Sequence, residues 1–381
     1  MTVRSLIAPL TGVRGIASAW VVLLHLQLLV PVLLPRVPVV GSVIDGGNLG
    51  VDVFFVLSGF IISFTYLDRL SARAPGAVSR YLWLRFARIY PTHLFMLLVV
   101  AGLLTAMTIA GMQPHDDRRF SPLSFVMNLL MLQAVPPALA WNDPAWSIST
   151  EFAAYLVFPL LVPLLARVSP KRALIGILVL LAVGMTAIGV VLATASDWAY
   201  WAGYVLMWTR IAVCFPLGCL LYVLWRSLPQ DGRRRAATIA LPVSIIGLLL
   251  ACILTPTPGP VTLPVAAYPF IVLMIFGLAS STGLIARLLS TRYMVWSGRI
   301  SYSVYLVHFP LLLTAGALTQ RAGITPGSPL ALVALVATLL AVLGVGAATY
   351  HLVEEPARRA LSRYADRRAS RRPAAGTPQP S

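Results

Sequence analysis

The sequence predicts an all-α, polytopic integral membrane protein with about ten transmembrane helices and one short re-entrant or interfacial helix. Three observations lead there. Of the 381 residues 59% are hydrophobic and only 11% charged, with a mean hydropathy of +0.85, whereas a soluble domain carries about 25% charged and about 45–50% apolar residues. A soluble domain of this size still needs a polar surface, so a soluble globular enzyme, a disordered chain and a coiled coil are excluded. The apolar runs are continuous over about 20 residues, enough to cross a hydrocarbon core of about 30 Å; a β-barrel would instead alternate in short strands. Finally, the net charge of +17, from 29 basic and 12 acidic residues, sits mostly in short loops between the runs. That is the positive-inside pattern rather than a nucleic-acid surface.

The runs lie near 9–30, 49–67, 90–111, 146–167, 173–194, 200–225, 236–254, 263–286, 293–316 and 328–352. No A-x-A-like site ends the first run, so it is expected to be retained as a membrane helix. An eleventh candidate, 122–138, is short and ends in Val135-Pro136-Pro137. If it crossed the bilayer, Lys171, Arg172 and Arg233 to Arg235 would lie outside. If it only dips in, they fall on one side with Arg69, Arg73, Arg80, Arg85, Arg88, Arg167, Arg226, Arg287 and Arg292, leaving Arg36, Arg118, Arg119 and Arg321 opposite. The second arrangement places both termini in the cytoplasm, with the protein in the cell (inner) membrane. Residues 1–356 then form one membrane domain, and the Arg-, Ala- and Pro-rich segment 357–381 is expected to be a disordered cytoplasmic tail. Cys214, Cys219 and Cys252 lie in apolar stretches and read as packing residues, not disulfides or metal ligands.

An ionisable residue inside a span costs several kcal/mol and is a functional candidate by default. Arg14 and His25 share the first span, eleven residues apart, which brings both to one helix face about 16 Å apart along the axis. Against a functional path stand a snorkelling Arg14 and a structural His25. The second span begins Gly50-Val51-Asp52-Val53-Phe54-Phe55-Val56-Leu57-Ser58-Gly59-Phe60; Asp52 is expected near the outer surface, and Ser58 and Gly59 allow close helix approach. Arg85 and Arg88, three apart, share a face and could grip a phosphate. Trp141-Asn142-Asp143-Pro144-Ala145-Trp146-Ser147-Ile148-Ser149-Thr150-Glu151 opens the fourth span, with both tryptophans suited to an interfacial belt and Glu151 one turn into the membrane. Arg210 lies mid-span without a partner that sequence can name. Ser301, Tyr305 and His308, spaced four and three apart, make a polar stripe in the ninth span. There is no H-E-x-x-H, Walker A loop, dinucleotide-binding glycine pattern or G-x-S-x-G frame.

Taken together, these motifs resemble the acyltransferase 3 family of integral-membrane O-acyltransferases. The likeness runs from about residue 7 to 356. It rests on Gly12-Val13-Arg14-Gly15 with His25, on the segment from Gly50 to Phe60, on Arg85-x-x-Arg88-Ile89-Tyr90-Pro91, on Trp146 to Glu151, on Ser301 to His308 and on Glu355-Pro356. The resemblance implies transfer of an acyl group, commonly acetyl, from cytoplasmic acyl-CoA to a hydroxyl of a carbohydrate, glycolipid or secondary metabolite, with no other cofactor. Many relatives carry an extracytoplasmic SGNH domain after the membrane part; none follows here, so a step that needs one is expected to fall to a separate extracytoplasmic partner protein. Chemically, Arg85 and Arg88 would meet the donor's phosphates and Arg14 its thioester end or pantetheine arm. His25 would be the general base, oriented by Glu151 or Asp52, or would itself carry the acyl group. Ser58, Ser301, Tyr305 and His308 would be supporting residues. The competing class is a transporter or flippase using the intramembrane charges as a path, which the lack of an internal repeat weakens.

Overall fold

The computed structural model describes residues 7–35, 37–109, 111, 118–197, 199–255 and 263–370, and these form helices and connecting turns with no strand among them. The first helix, α1 (Ala8–Leu29), is followed by the short α2 (Val40–Asp45), then α3 (Leu49–Ser71), α4 (Ala77–Ile109) and the short α5 (Pro122–Leu129). α6 (Trp146–Leu165), α7 (Pro170–Thr194), α8 (Ala199–Ser227) and α9 (Gln230–Leu254) come next. α10 (Tyr268–Ser280), the short α11 (Leu284–Leu289), α12 (Arg292–Arg321), α13 (Pro329–Thr349) and α14 (Glu355–Ser370) complete the order. Several starts are written in the sequence: Ser169 and Ser328 cap α7 and α13 through the backbone N–H of Arg172 and Ala331, each with proline in the next position.

Nine helical segments among the described residues are long and apolar enough to cross a membrane. The predicted run at 263–286 is the one that differs. It is a 16-residue apolar stretch, Val265–Ser280, that ends at extended Ser281 before α11. There the Ser281 side chain accepts from Gly283 N–H, a local bond that competes with helix continuation. The segment 122–138 does not form a span: α5 has eight residues, about 12 Å of helix. The segment expected to be disordered from 357 is helical through Ser370, because α14 is pinned to α4. Trp83 Nε1 donates to the Leu361 carbonyl at 2.8 Å, Trp83 packs on Tyr364, and Arg80 pairs with Asp366 at 2.6 Å. Residues 371–381 lie outside the described residues.

α3 is the centre of the bundle. In the most apolar stretch of Val40–Ser71, 78% of residues are buried, against 17% in Pro329–Arg367, where Leu332, Val333 and Leu340 point outward as a lipid-facing surface requires. Glycines set the closest crossings. A Cβ on Gly298 would collide with the Thr11 carbonyl and one on Gly12 with the Leu289 carbonyl, so α1 packs directly against the start of α12 and the end of α11. Gly59 and Gly218 do the same for α3 and α8 against the carbonyls of Phe215 and Val56.

Replacing Gly298 by valine should therefore force α1 and α12 apart. Overpacking a close contact costs about 1–3 kcal/mol, so the thermal unfolding midpoint in detergent should fall by several degrees; an unchanged midpoint would show that this crossing can relax freely.

Candidate active site

The motif residues collect along the seam between α1, α3, α6 and α12, and three cavities follow one another through it. On the side where α1 begins, a crevice of about 390 Å³ is lined by Tyr66, Arg85, Arg88 and arginines of α14. In the middle, a cavity of only about 40 Å³ lies between Arg14, Phe54, Glu151, Tyr302 and Tyr305. On the opposite side, a cavity of about 360 Å³ holds His25, Arg119, Gln133, Asp143, Trp146 and Phe309. Val51 and Tyr305 border both of the last two. Larger open clefts of about 840 and 590 Å³ lie among the loops on the α1-start side and contain none of the motif residues.

His25 sits one turn above Val21, and its Nδ1 is 2.9 Å from the Val21 carbonyl. A carbonyl can only accept, so the proton is on Nδ1 and Nε2 keeps its lone pair. The ring packs edge-on to His308 and Phe309, with centroids 4.9 and 5.7 Å away. His308 repeats the arrangement: Nδ1 lies 2.6 Å from the Tyr305 carbonyl, and the buried Nε2 has no partner among the described residues. Tyr305 is fixed by Ser147 Oγ at 2.8 Å and by donating to the Pro144 carbonyl at 2.9 Å, while Asn142 donates to the Leu306 carbonyl at 2.8 Å. The segment before α6 is thus fastened to α12 at the depth of the histidines. Ser301 does not join this face; its hydroxyl donates to Gly298 O within its own helix and its carbonyl accepts from Ser18.

Arg14 makes no hydrogen bond to the described residues and lies over the Phe54 ring, 5.4 Å from its centroid. Glu151 shares the central cavity and accepts from Tyr155 OH at 2.5 Å; Ser58 Oγ in turn donates toward Tyr155 at 3.4 Å. Neither Glu151 nor Asp52 touches His25, so neither carboxylate orients the imidazole; the Val21 carbonyl does.

Asp52 lies in the first turn of α3, inside the bundle. It is fully buried, and Arg210 grips it with two bonds of 3.0 and 2.9 Å while also donating to Asn48 O at 2.7 Å. Tyr268 OH adds a bond of 3.2 Å. Arg85 and Arg88 do line one crevice. Arg88, however, is ion-paired to buried Glu354, which also accepts from Ser303 at 2.6 Å, and Arg85 donates to Tyr66 OH at 3.1 Å and lies over the Tyr66 and Tyr155 rings. Glu354 escaped sequence reading because it lies past the predicted run at 328–352, where a π-helical turn, Tyr350–Glu354, turns it inward. Tyr155 was legible, four residues after Glu151 on the same helix face; Tyr302 and Tyr66 carried no signal beyond their aromatic character. Trp146, the first residue of α6, lies under the Arg210 guanidinium, 5.1 Å from its ring centroid.

The acyltransferase domain family matches residues 7–350. The chain belongs to the acyltransferase 3 family. Among relatives, acyltransferase MdmB of Streptomyces mycarofaciens is 34% identical over 133 residues, 33% of this chain and 31% of its own length. Protein 2 in picA locus of Rhizobium radiobacter is 30% identical over 39% of this chain and 78% of its own. The O-acetyltransferase OatA of Staphylococcus aureus is 22% identical over 80% of this chain and 50% of its own. The chain thus spans a third to a half of the length of the MdmB and OatA relatives. No solved structure matches. The family match covers the central and far cavities but only the α3 and α4 side of the arginine crevice, since it stops at Tyr350, before Glu354 and α14.

Removing one partner of the Asp52–Arg210 pair leaves an unpaired charge buried in the bundle, at about 3–5 kcal/mol. Arg210→Met should sharply reduce the folded yield in detergent, and the double change Asp52→Leu with Arg210→Met should restore most of it. A double variant no better than the single would show that the two residues are not coupled.

Proposed function

We propose that this chain transfers an acyl group, acetyl in the simplest case, from cytoplasmic acyl-CoA to a hydroxyl of a carbohydrate, glycolipid or small-molecule acceptor. The observation that carries the reading is the imidazole of His25, its basic Nε2 free in a cavity open opposite the arginine crevice. The name of the Staphylococcus aureus relative, an O-acetyltransferase, supports acetyl and oxygen as the ends of the transfer.

In this reaction the acceptor oxygen attacks the thioester carbonyl carbon as its proton passes to His25 Nε2. The carbon–sulfur bond breaks, and the proton moves on to the departing thiolate, giving an ester and free CoA. A neutral imidazole can take the proton from the attacking hydroxyl and then return it to the leaving thiolate. Arg14, which spends no hydrogen bond on the described residues, is the group available to stabilise charge developing on the carbonyl oxygen. Glu151, held by Tyr155 in the same cavity, positions and partly offsets Arg14. Arg85 and Arg88 receive the donor on the cytoplasmic side, with both termini on that side and the acceptor cavity facing outward.

His25→Ala should leave the protein inserted and folded and lower CoA release from acyl-CoA by about 10²–10⁴-fold; near-normal turnover would remove His25 from the chemistry. The sidedness has its own check. The native cysteines are all buried, so a cysteine placed at Gly232 can be probed with a membrane-impermeant thiol reagent in intact cells. It should react only after permeabilisation, and labelling from outside would reverse the donor and acceptor faces.

A further inference from the structure

We propose that α14 completes the donor site, with Arg363 joining Arg85 to hold the phosphorylated nucleotide end of the acyl donor. The inference deepens the acyl-transfer reading and takes only the identity of the anion from it.

The crevice of about 390 Å³ is built from two helices far apart in sequence, α4 with Arg85 and Arg88 and α14 with Arg358, Arg363 and Asp366. Its carboxylates are already committed. Glu354 takes Arg88, Glu355 takes Arg358 and Arg359, and Asp366 takes Arg80. That leaves positive charge over. Arg363 forms no ion pair among the described residues, and Arg85 keeps a buried Nε without a partner while its terminal nitrogen donates to Tyr66 OH at 3.1 Å. Several guanidinium forks around one cavity call for an anion with several oxygens in reach of each, and phosphate groups meet that geometry. The volume suits a nucleotide-sized group. The arginines of α14 are held in place by the contacts of Trp83 with Leu361 and Tyr364. The crevice also adjoins the rest of the seam: Arg88 lies over Tyr302, 5.7 Å from its centroid, and Tyr302 borders the central cavity with Arg14. A phosphorylated end bound here would leave a thin acyl-bearing arm directed toward Arg14.

An anionic lipid headgroup offers the same phosphate chemistry, so the test separates the two sources. The full chain is reconstituted in phosphatidylcholine nanodiscs, and adenosine 3′,5′-bisphosphate, which carries the donor's nucleotide phosphates but no thiol or acyl group, is titrated by calorimetry. The wild type should bind it. Arg363→Ala should weaken binding about tenfold, the loss of a charge-assisted bond, and Arg363→Glu should weaken it further. Arg292→Ala, which removes an exposed arginine of α12 that does not line the crevice, should change nothing. In turnover assays Arg363→Ala should raise the KM for acyl-CoA by a similar factor and leave kcat unchanged. Equal binding by wild type and Arg363→Ala would overturn the proposal. So would wild-type binding confined to phosphatidylglycerol nanodiscs with none to the bisphosphate, which would make the occupant a lipid. The two readings fail separately. CoA release with an unaltered KM in Arg363→Ala keeps the enzyme and discards the α14 site, whereas bisphosphate binding lost in that variant without CoA release in the wild type keeps the site and discards the transfer.

Discussion

An ion inside a hydrocarbon layer must be neutralised where it stands, and much of this bundle is arranged to satisfy that requirement. Asp52 on α3 and Arg210 on α8 meet about two turns from where the two helices cross on Gly59 and Gly218. Neither could be replaced alone without leaving a buried charge, and the pair fixes the depth at which α3 and α8 lie against each other. Arg88 and Glu354 do the same for α4 and the π-helical turn after α13. Because the chain closes on itself through that second pair, the last turn of the membrane domain and the α14 helix behind it are set against α4, and the arginine crevice exists as a consequence. Such pairs contribute little net stability over an apolar equivalent; what they supply here is register.

The fold was largely legible because continuous apolar runs and basic loops are one-dimensional signals that survive without tertiary information. Where the sequence reading and the structure part, the reason is local. At Ser281 a side chain that bonds the backbone ends a helix inside an apolar run. At Tyr350–Glu354 a π-helical turn rotates a glutamate inward that the hydropathy pattern leaves at the rim. The disorder expected from Arg, Ala and Pro content after 356 assumed that the segment has nothing to pack on, and Trp83 on α4 provides that surface. In the candidate site, spacing on one helix found what belongs to one helix, such as Arg14 with His25 and Tyr305 with His308. It could not find partners across helices, which is why Arg210 stood alone and Asp52 was given a role beside His25 that its own salt bridge precludes.

The same neutralisation rule sorts the ionisable residues that remain. Asp52, Arg210, Arg88 and Glu354 have partners that account for their burial, and their presence in the membrane needs no further reason. Among the described residues, Arg14 has an aromatic face but no hydrogen bond, Arg85 Nε has no partner, and His25 is bonded through Nδ1 alone. Each of these incompletely satisfied groups borders one of the three cavities, so the cost of keeping it in the membrane is met only when something else fills the space. The cavities also differ in the kind of group they leave unsatisfied: spare cationic donors in the crevice, a spare cation in the centre and a spare base on the far side. That order matches the charge along a thioester donor, from phosphates through carbonyl to the attacking hydroxyl. The narrowness of the central cavity, about 40 Å³ between two much larger ones, adds a constraint on the reaction itself. On the proposed transfer, an acyl arm would reach His25 only by displacing the side chains around Arg14, so binding of the donor and opening of the passage would be coupled events.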